Sequence, residues 1–187
     1  MDALMAALVL GALTQASDRT PWLAAILADR LGRAATIVAL VLALALNYTV
    51  GVVGGRLLAP LMTPEAKLLL LALALLLAGL GTGWRVKRPD ALEGWRLPAP
   101  LTAFLGLAIM AFGDRMQFVV AALAARTDLP WAAAIGATLG AGLVGAAAAA
   151  MGEAAWLKLP LRAVRLAAAG ILTLAGVVLG LNALRLV

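Results

Sequence analysis

Two Asp-Arg pairs sit in the middle of apolar runs. Asp18-Arg19 lies within Gln15-Ala16-Ser17-Asp18-Arg19-Thr20, and Asp114-Arg115 lies within Ala111-Phe112-Gly113-Asp114-Arg115-Met116-Gln117. Ionisable groups at such depth in a bilayer are costly and mark ion or proton pathways. The two stretches align with each other at a constant shift of 96 residues: Asp18 on Asp114, Arg19 on Arg115, Trp22 on Phe118, Leu27 on Leu123 and Arg30 on Arg126. One segment has been used twice.

Helical spacing places Gln15, Asp18, Arg19 and Trp22 on one face. Pro21 lacks the amide hydrogen that would bond the Ser17 carbonyl, which frees that oxygen beside Asp18 as a cation ligand. In the second stretch Asp114, Arg115 and Phe118 repeat the pattern, and Gln117 adds an amide a quarter-turn away. Two chemistries fit these residues. One is a transport site for a cation. The other is a closed Asp-Arg cluster that ties helices together, since two carboxylates and two guanidiniums sum to zero.

The elements that must position these residues are membrane helices. The chain is 65% hydrophobic and 13% charged, with mean hydropathy +1.05. A water-soluble domain of this size cannot bury so much apolar side chain. Six runs reach the roughly 20 residues a span requires: Leu4–Ala28, Ala34–Leu58, Ala66–Gly83, Leu101–Ala125, Trp131–Met151 and Leu161–Leu184. The first lacks a basic leader and carries the repeat, so it is read as the first helix and not as a signal peptide. The predicted fold is an all-α integral membrane protein of six transmembrane helices. It forms two three-helix repeats, residues 1–83 and 101–187, joined by a polar connector over 84–100.

The basic residues sit in the connectors, where they orient a membrane protein, so the net charge of +6 does not point to nucleic acid. The odd connectors hold nine Lys and Arg against four on the opposite side. That places the central connector in the cytoplasm and both termini outside it, in a bacterial inner membrane. Three helices per repeat, an odd number, insert the two copies upside down relative to each other, with a site near the midplane. Gly136/Gly140 and Gly176/Gly180 have the spacing of close helix packing, within the chain or, as the alternative, in a homo-oligomer. The chain has no Cys or His. That excludes Cys/His zinc sites and imidazole relays, and no nucleophile with a base lies at depth, so an enzyme is not expected and no cofactor is called for.

The paired stretches resemble the E-x-G-D-[KR]-[ST] motifs of the Gdt-type cation exchangers. That family includes Golgi manganese and calcium transporters and bacterial manganese exporters. The Gln117 after the second motif matches the family pattern too, and the likeness extends over length, six helices and a polar central connector. The resemblance implies exchange of Mn2+ or Ca2+ for protons, with motif acids of both repeats meeting at the midplane. Asp18 and Asp114 would be the charged ligands and proton carriers. Gln15, Ser17, Thr20 and Gln117 would supply neutral oxygens, and Arg19 and Arg115 would balance charge or gate the site. The lipid bilayer, metal ions and protons would be its partners. Both motif glutamates are replaced, by Gln15 and Ala111; Ser17 stands for a glycine and Met116 for a hydroxyl residue. The alternative is a transport-deficient membrane protein that keeps the fold for a structural or partner-binding role.

Overall fold

Apolar runs in lipid fold as helices because the backbone has no other hydrogen-bond partner there. The computed structural model describes residues 2–16, 18–84 and 86–186. Its elements are α1 (Asp2–Gln15), α2 (Arg19–Leu31), α3 (Arg33–Leu58, continued by a 3-10 turn at Ala59–Leu61), α4 (Pro64–Gly83), α5 (Ala99–Ala111), α6 (Arg115–Ala124), α7 (Pro130–Met151), α8 (Glu153–Trp156) and α9 (Leu161–Ala183). Thr63 caps α4 by accepting from Ala66 N at 3.2 Å, and Pro64 opens it, as its sequence predicts. The extended α3, α4, α7 and α9 are long and apolar enough to cross a membrane, and α5 with α6 makes a fifth span if the bent pair counts as one. The apolar α1 has only 14 residues.

The first and fourth predicted runs are not continuous helices. α1 stops at Gln15 and α2 starts at Arg19, with Asp18 extended at φ −90°, ψ 176°. α5 stops at Ala111 and α6 starts at Arg115, bent by 70° from α5. Gly113 makes that second turn at φ +73°, a conformation open to glycine. Both breaks close the same way: Asp18 N–H bonds Gln15 O at 3.3 Å, and Asp114 N–H bonds Ala111 O at 3.1 Å. These are equivalent positions of the repeat. The break corrects the reading of Pro21 as a residue that interrupts the hydrogen bonding of one continuous helix. Pro21 lies in the first turn of α2, where amide hydrogens have no intrahelical partner to lose. Ser17 lies outside the described residues.

α1 packs along α7, α3 packs on α5 and α6, and α4 packs on α9. The glycine spacings serve these contacts within the chain. A Cβ on Gly136 or Gly140 would overlap the carbonyl of Leu4 or Leu8 in α1, and one on Gly176 would stand 2.8 Å from the Leu76 nitrogen in α4. Below the bundle, the central connector is clamped. Arg88 donates to both oxygens of Glu153 at 3.0 and 2.9 Å, Trp22 Nε1 donates to Glu153 at 3.1 Å, and Arg30 reaches the Ala91 carbonyl.

Candidate functional site

The two helix breaks deliver their aspartates to one place. Each Asp occupies the N-cap of the second half-helix, a position the helix dipole makes favourable for a carboxylate. Asp114 caps α6 by accepting from Arg115 N–H at 2.6 Å. The Arg115 guanidinium then crosses to the other half of the chain, with Nη2 2.7 Å from Asp18 Oδ1 and Nε 3.7 Å from Asp114 Oδ1. Gln15, last residue of α1, donates its amide to Asp114 Oδ2 at 2.8 Å. Arg115 Nη1 also donates to Thr82 Oγ1, near the end of α4, at 3.3 Å. Asp18, Asp114, Gln15 and Arg115 are thus brought together from both halves.

A cavity of about 350 Å³ adjoins this cluster, lined by Asp18, Arg19, Thr20, Asp114 and Arg115, with Trp84 and Val86 on the connector side. Thr20 is buried against it. Arg19 is exposed, and among the described residues no carboxylate lies within ion-pair distance of it. The cluster therefore holds two carboxylates against one guanidinium, a formal −1, where a count over both motifs gives zero. The reason is the break at Gln15: Arg19 begins a new helix and is not bound to the face that one continuous helix would dictate.

Gln117 is placed differently from the expected ligand. Its Oε1 accepts from Gly113 N–H at 2.7 Å and its Nε2 donates to the Asn47 carbonyl at 3.1 Å. Both ends of the amide hold backbone, so Gln117 shapes the turn that presents Asp114.

Two residues outside the motifs, not expected from the sequence, stand behind the cluster on α3. Asn47 donates to the carbonyls of Ala43 and Ala108 at 2.9 and 3.2 Å. Tyr48 is fully buried, within electrostatic reach of Asp114 and Asp18. Gln15 Oε1, Asn47 Oδ1 and Tyr48 Oη are buried without a hydrogen-bond partner among the described residues. Buried polar atoms are nearly always paired, and here the Tyr48 hydroxyl and the Gln15 side chain interact with each other next to Asp114. The available signal was Asn47-Tyr48-Thr49, a polar triplet in the centre of the second apolar run.

The donors in this region are oxygens, which suit hard cations such as Ca2+, Mg2+ or Mn2+. Among the described residues no three His, Cys, Asp or Glu side chains gather. A cation held here would rely on two carboxylates plus neutral oxygens.

Residues 99–186, the half that contains the second motif, match the family described as divalent cation/proton antiporter GDT1. No curated protein and no solved structure gave a significant match.

Proposed function

We propose, on the premise that this chain belongs to the GDT1 family of divalent cation/proton antiporters, that it exchanges Mn2+ or Ca2+ for protons at the Asp18–Asp114 cluster. Members of that family are transporters, and the apolar helices make this one an integral membrane protein. The observation that carries the reading is the meeting of both motifs through Arg115, at two equivalent helix breaks.

In this reading Asp18 and Asp114 bind the cation and exchange it for protons. Gln15 and Thr20 add neutral oxygens, joined by Tyr48, while Gln117 positions Asp114. Arg115 is a tethered cation that offsets one of the two carboxylate charges when no metal is bound and must swing aside for one to enter. Thr82 already holds its third nitrogen, Nη1. Arg19 stands at the cavity wall as a gate.

The same reading makes six spans of the helices, with α1–α2 and α5–α6 each one broken span, in two inverted repeats. The packing supports this. Exchanging the halves turns the contact of α1 with α7 into that of α5 with α3, and leaves the pair α4 and α9 unchanged. The connector then lies in the cytoplasm of a bacterial cell. A cysteine placed at Asp90 should resist an impermeant reagent applied from outside, and one placed at Asn182 should react.

Uptake of radioactive Mn2+ or Ca2+ by vesicles containing the pure protein tests transport. Uptake above that of empty vesicles is the expected result. A second reading rests on the same ion pair: with Arg115 fixed between the aspartates, the cluster is a permanent tie and the protein a structural one. Absence of uptake for every divalent ion would favour it.

A further inference from the structure

The end of the bundle away from the central connector carries four basic residues: Arg56, Lys67, Arg126 and Arg185. Arg185 faces Glu65 at 3.7 Å. The other three come from three separate elements, the last turn of α3, the first turn of α4 and the segment after α6, and they line one cavity of about 330 Å³. Asp128 is the carboxylate in its wall, which leaves a formal +2. Pro130 also lines it and opens α7, whose N-terminal end adds further positive potential. Among the described residues none of the three bases has an ion-pair partner.

Three cations from three elements gathered around a single carboxylate repel one another unless an anion joins them. A second groove continues from the same place. It is lined by Val53, Arg56 and Leu57, so Arg56 forms part of both walls. Val53 and Leu57 are exposed on the outer surface of α3, the surface that meets lipid in a membrane protein. A basic hollow joined to an apolar groove through one shared arginine has the two-part chemistry of an anionic phospholipid. A free phosphate would use only the first part.

We propose that Arg56, Lys67 and Arg126 hold the phosphate of an anionic phospholipid, with an acyl chain along Val53 and Leu57. The site is independent of the Asp18–Asp114 cluster and stands whether or not the protein transports metal. The bound lipid ties the ends of α3, α4 and α6 together and removes a positive barrier from that face of the bundle.

The test uses the full-length protein in detergent, with thermal unfolding and native mass spectrometry as readouts. Phosphatidylglycerol, phosphatidylcholine and inorganic phosphate are the added probes. Phosphatidylglycerol should bind about tenfold better than phosphatidylcholine and raise the unfolding temperature, given that each basic residue favours anionic lipid. Arg56→Gln/Lys67→Gln/Arg126→Gln should lose that preference, and Lys67→Gln alone, should the triple variant fail to fold, should weaken it. Lys158→Gln/Arg162→Gln, a charge change at the other end, should keep it. Equal binding of the two lipids, an unaffected Lys67→Gln, or equal loss in the Lys158/Arg162 variant would overturn the proposal. An equal stabilisation by inorganic phosphate would overturn the lipid assignment in favour of a free-anion site.

Discussion

Arg115 reaches 2.7 Å from Asp18, a residue 97 positions earlier in the chain and in the other half of the repeat, while its own neighbour Asp114 lies farther from its side chain, at 3.7 Å. The guanidinium spans the two carboxylates. Most of what the site is expected to do follows from this placement.

Arg115→Gln should leave two partly buried carboxylates facing each other without a counter-charge. Removing one partner of a buried ion pair costs about 3–5 kcal/mol. The variant should unfold at lower temperature than the parent. Mn2+ or Ca2+ should restore most of the loss, because the metal takes the place of the guanidinium. Thermal unfolding with and without each ion is the measurement. A loss that no divalent ion repairs would mean that Arg115 is a structural tie.

Gln15→Glu should raise divalent-cation affinity. The change moves the cluster from a formal −1 to −2, and the new carboxylate replaces an amide 2.8 Å from Asp114. A 2+ ion leaving water needs nearby negative charge in exchange for its hydration. Ala111→Glu would add another acid, but Ala111 is fully packed, so the single variant is the cleaner test. Isothermal titration with Mn2+ checks it. Equal affinity in parent and variant would show that neutral oxygens carry the site.

The oxygen of Tyr48 can be tested without disturbing packing. Its hydroxyl interacts with the Gln15 side chain, although not at full hydrogen-bond geometry, so Tyr48→Phe should cost no more than one weak hydrogen bond, about 0.5–1.5 kcal/mol. Metal-dependent stabilisation should fall. An unchanged metal response would remove Tyr48 from the site.

The asparagine-tyrosine pair also marks how far the sequence could be read. The two Asp-Arg pairs were legible because a charge in an apolar run is too costly in lipid to be idle. The repeat followed from them, and the glycine spacings correctly implied close packing within the chain. The helix breaks were not legible. Hydrophobic periodicity reports which face is apolar and not where one helix stops, and Gln15-Ala16 has no glycine or proline to announce the end. Gly113 was such a signal in the second copy. Arg19 was misplaced for the same reason, since a shared face presumes a continuous helix. Tyr48 drew no reading at all, because an aromatic ring in an apolar run is usually core. The contact of its hydroxyl with Gln15 shows only when the packing around it is known.

The clamp on the connector should be acid-labile. The hydrogen bonds from Arg88 to Glu153, aided by the one from Trp22, hold the Glu153 carboxyl below its ordinary value. A lowered folded value means that the clamp's contribution is present above the ordinary glutamate range and is lost as pH falls through the lowered one. Limited proteolysis of the 86–98 segment should therefore be slow at neutral pH and faster at strongly acidic pH. Arg88→Gln should make it fast at both. Protection in Arg88→Gln equal to the parent's would show that other contacts hold the connector.

Whether the cluster exchanges a divalent cation for protons is tested most directly in proteoliposomes containing the pure protein and a trapped pH indicator. An inward Mn2+ or Ca2+ gradient should drive protons out, making the lumen more alkaline. Asp18→Asn and Asp114→Asn should each abolish the signal in preparations that remain folded, although at a lower unfolding temperature than the parent. No metal-driven pH change in the parent, or full activity in either Asn variant, would contradict the assignment of exchange to these two residues.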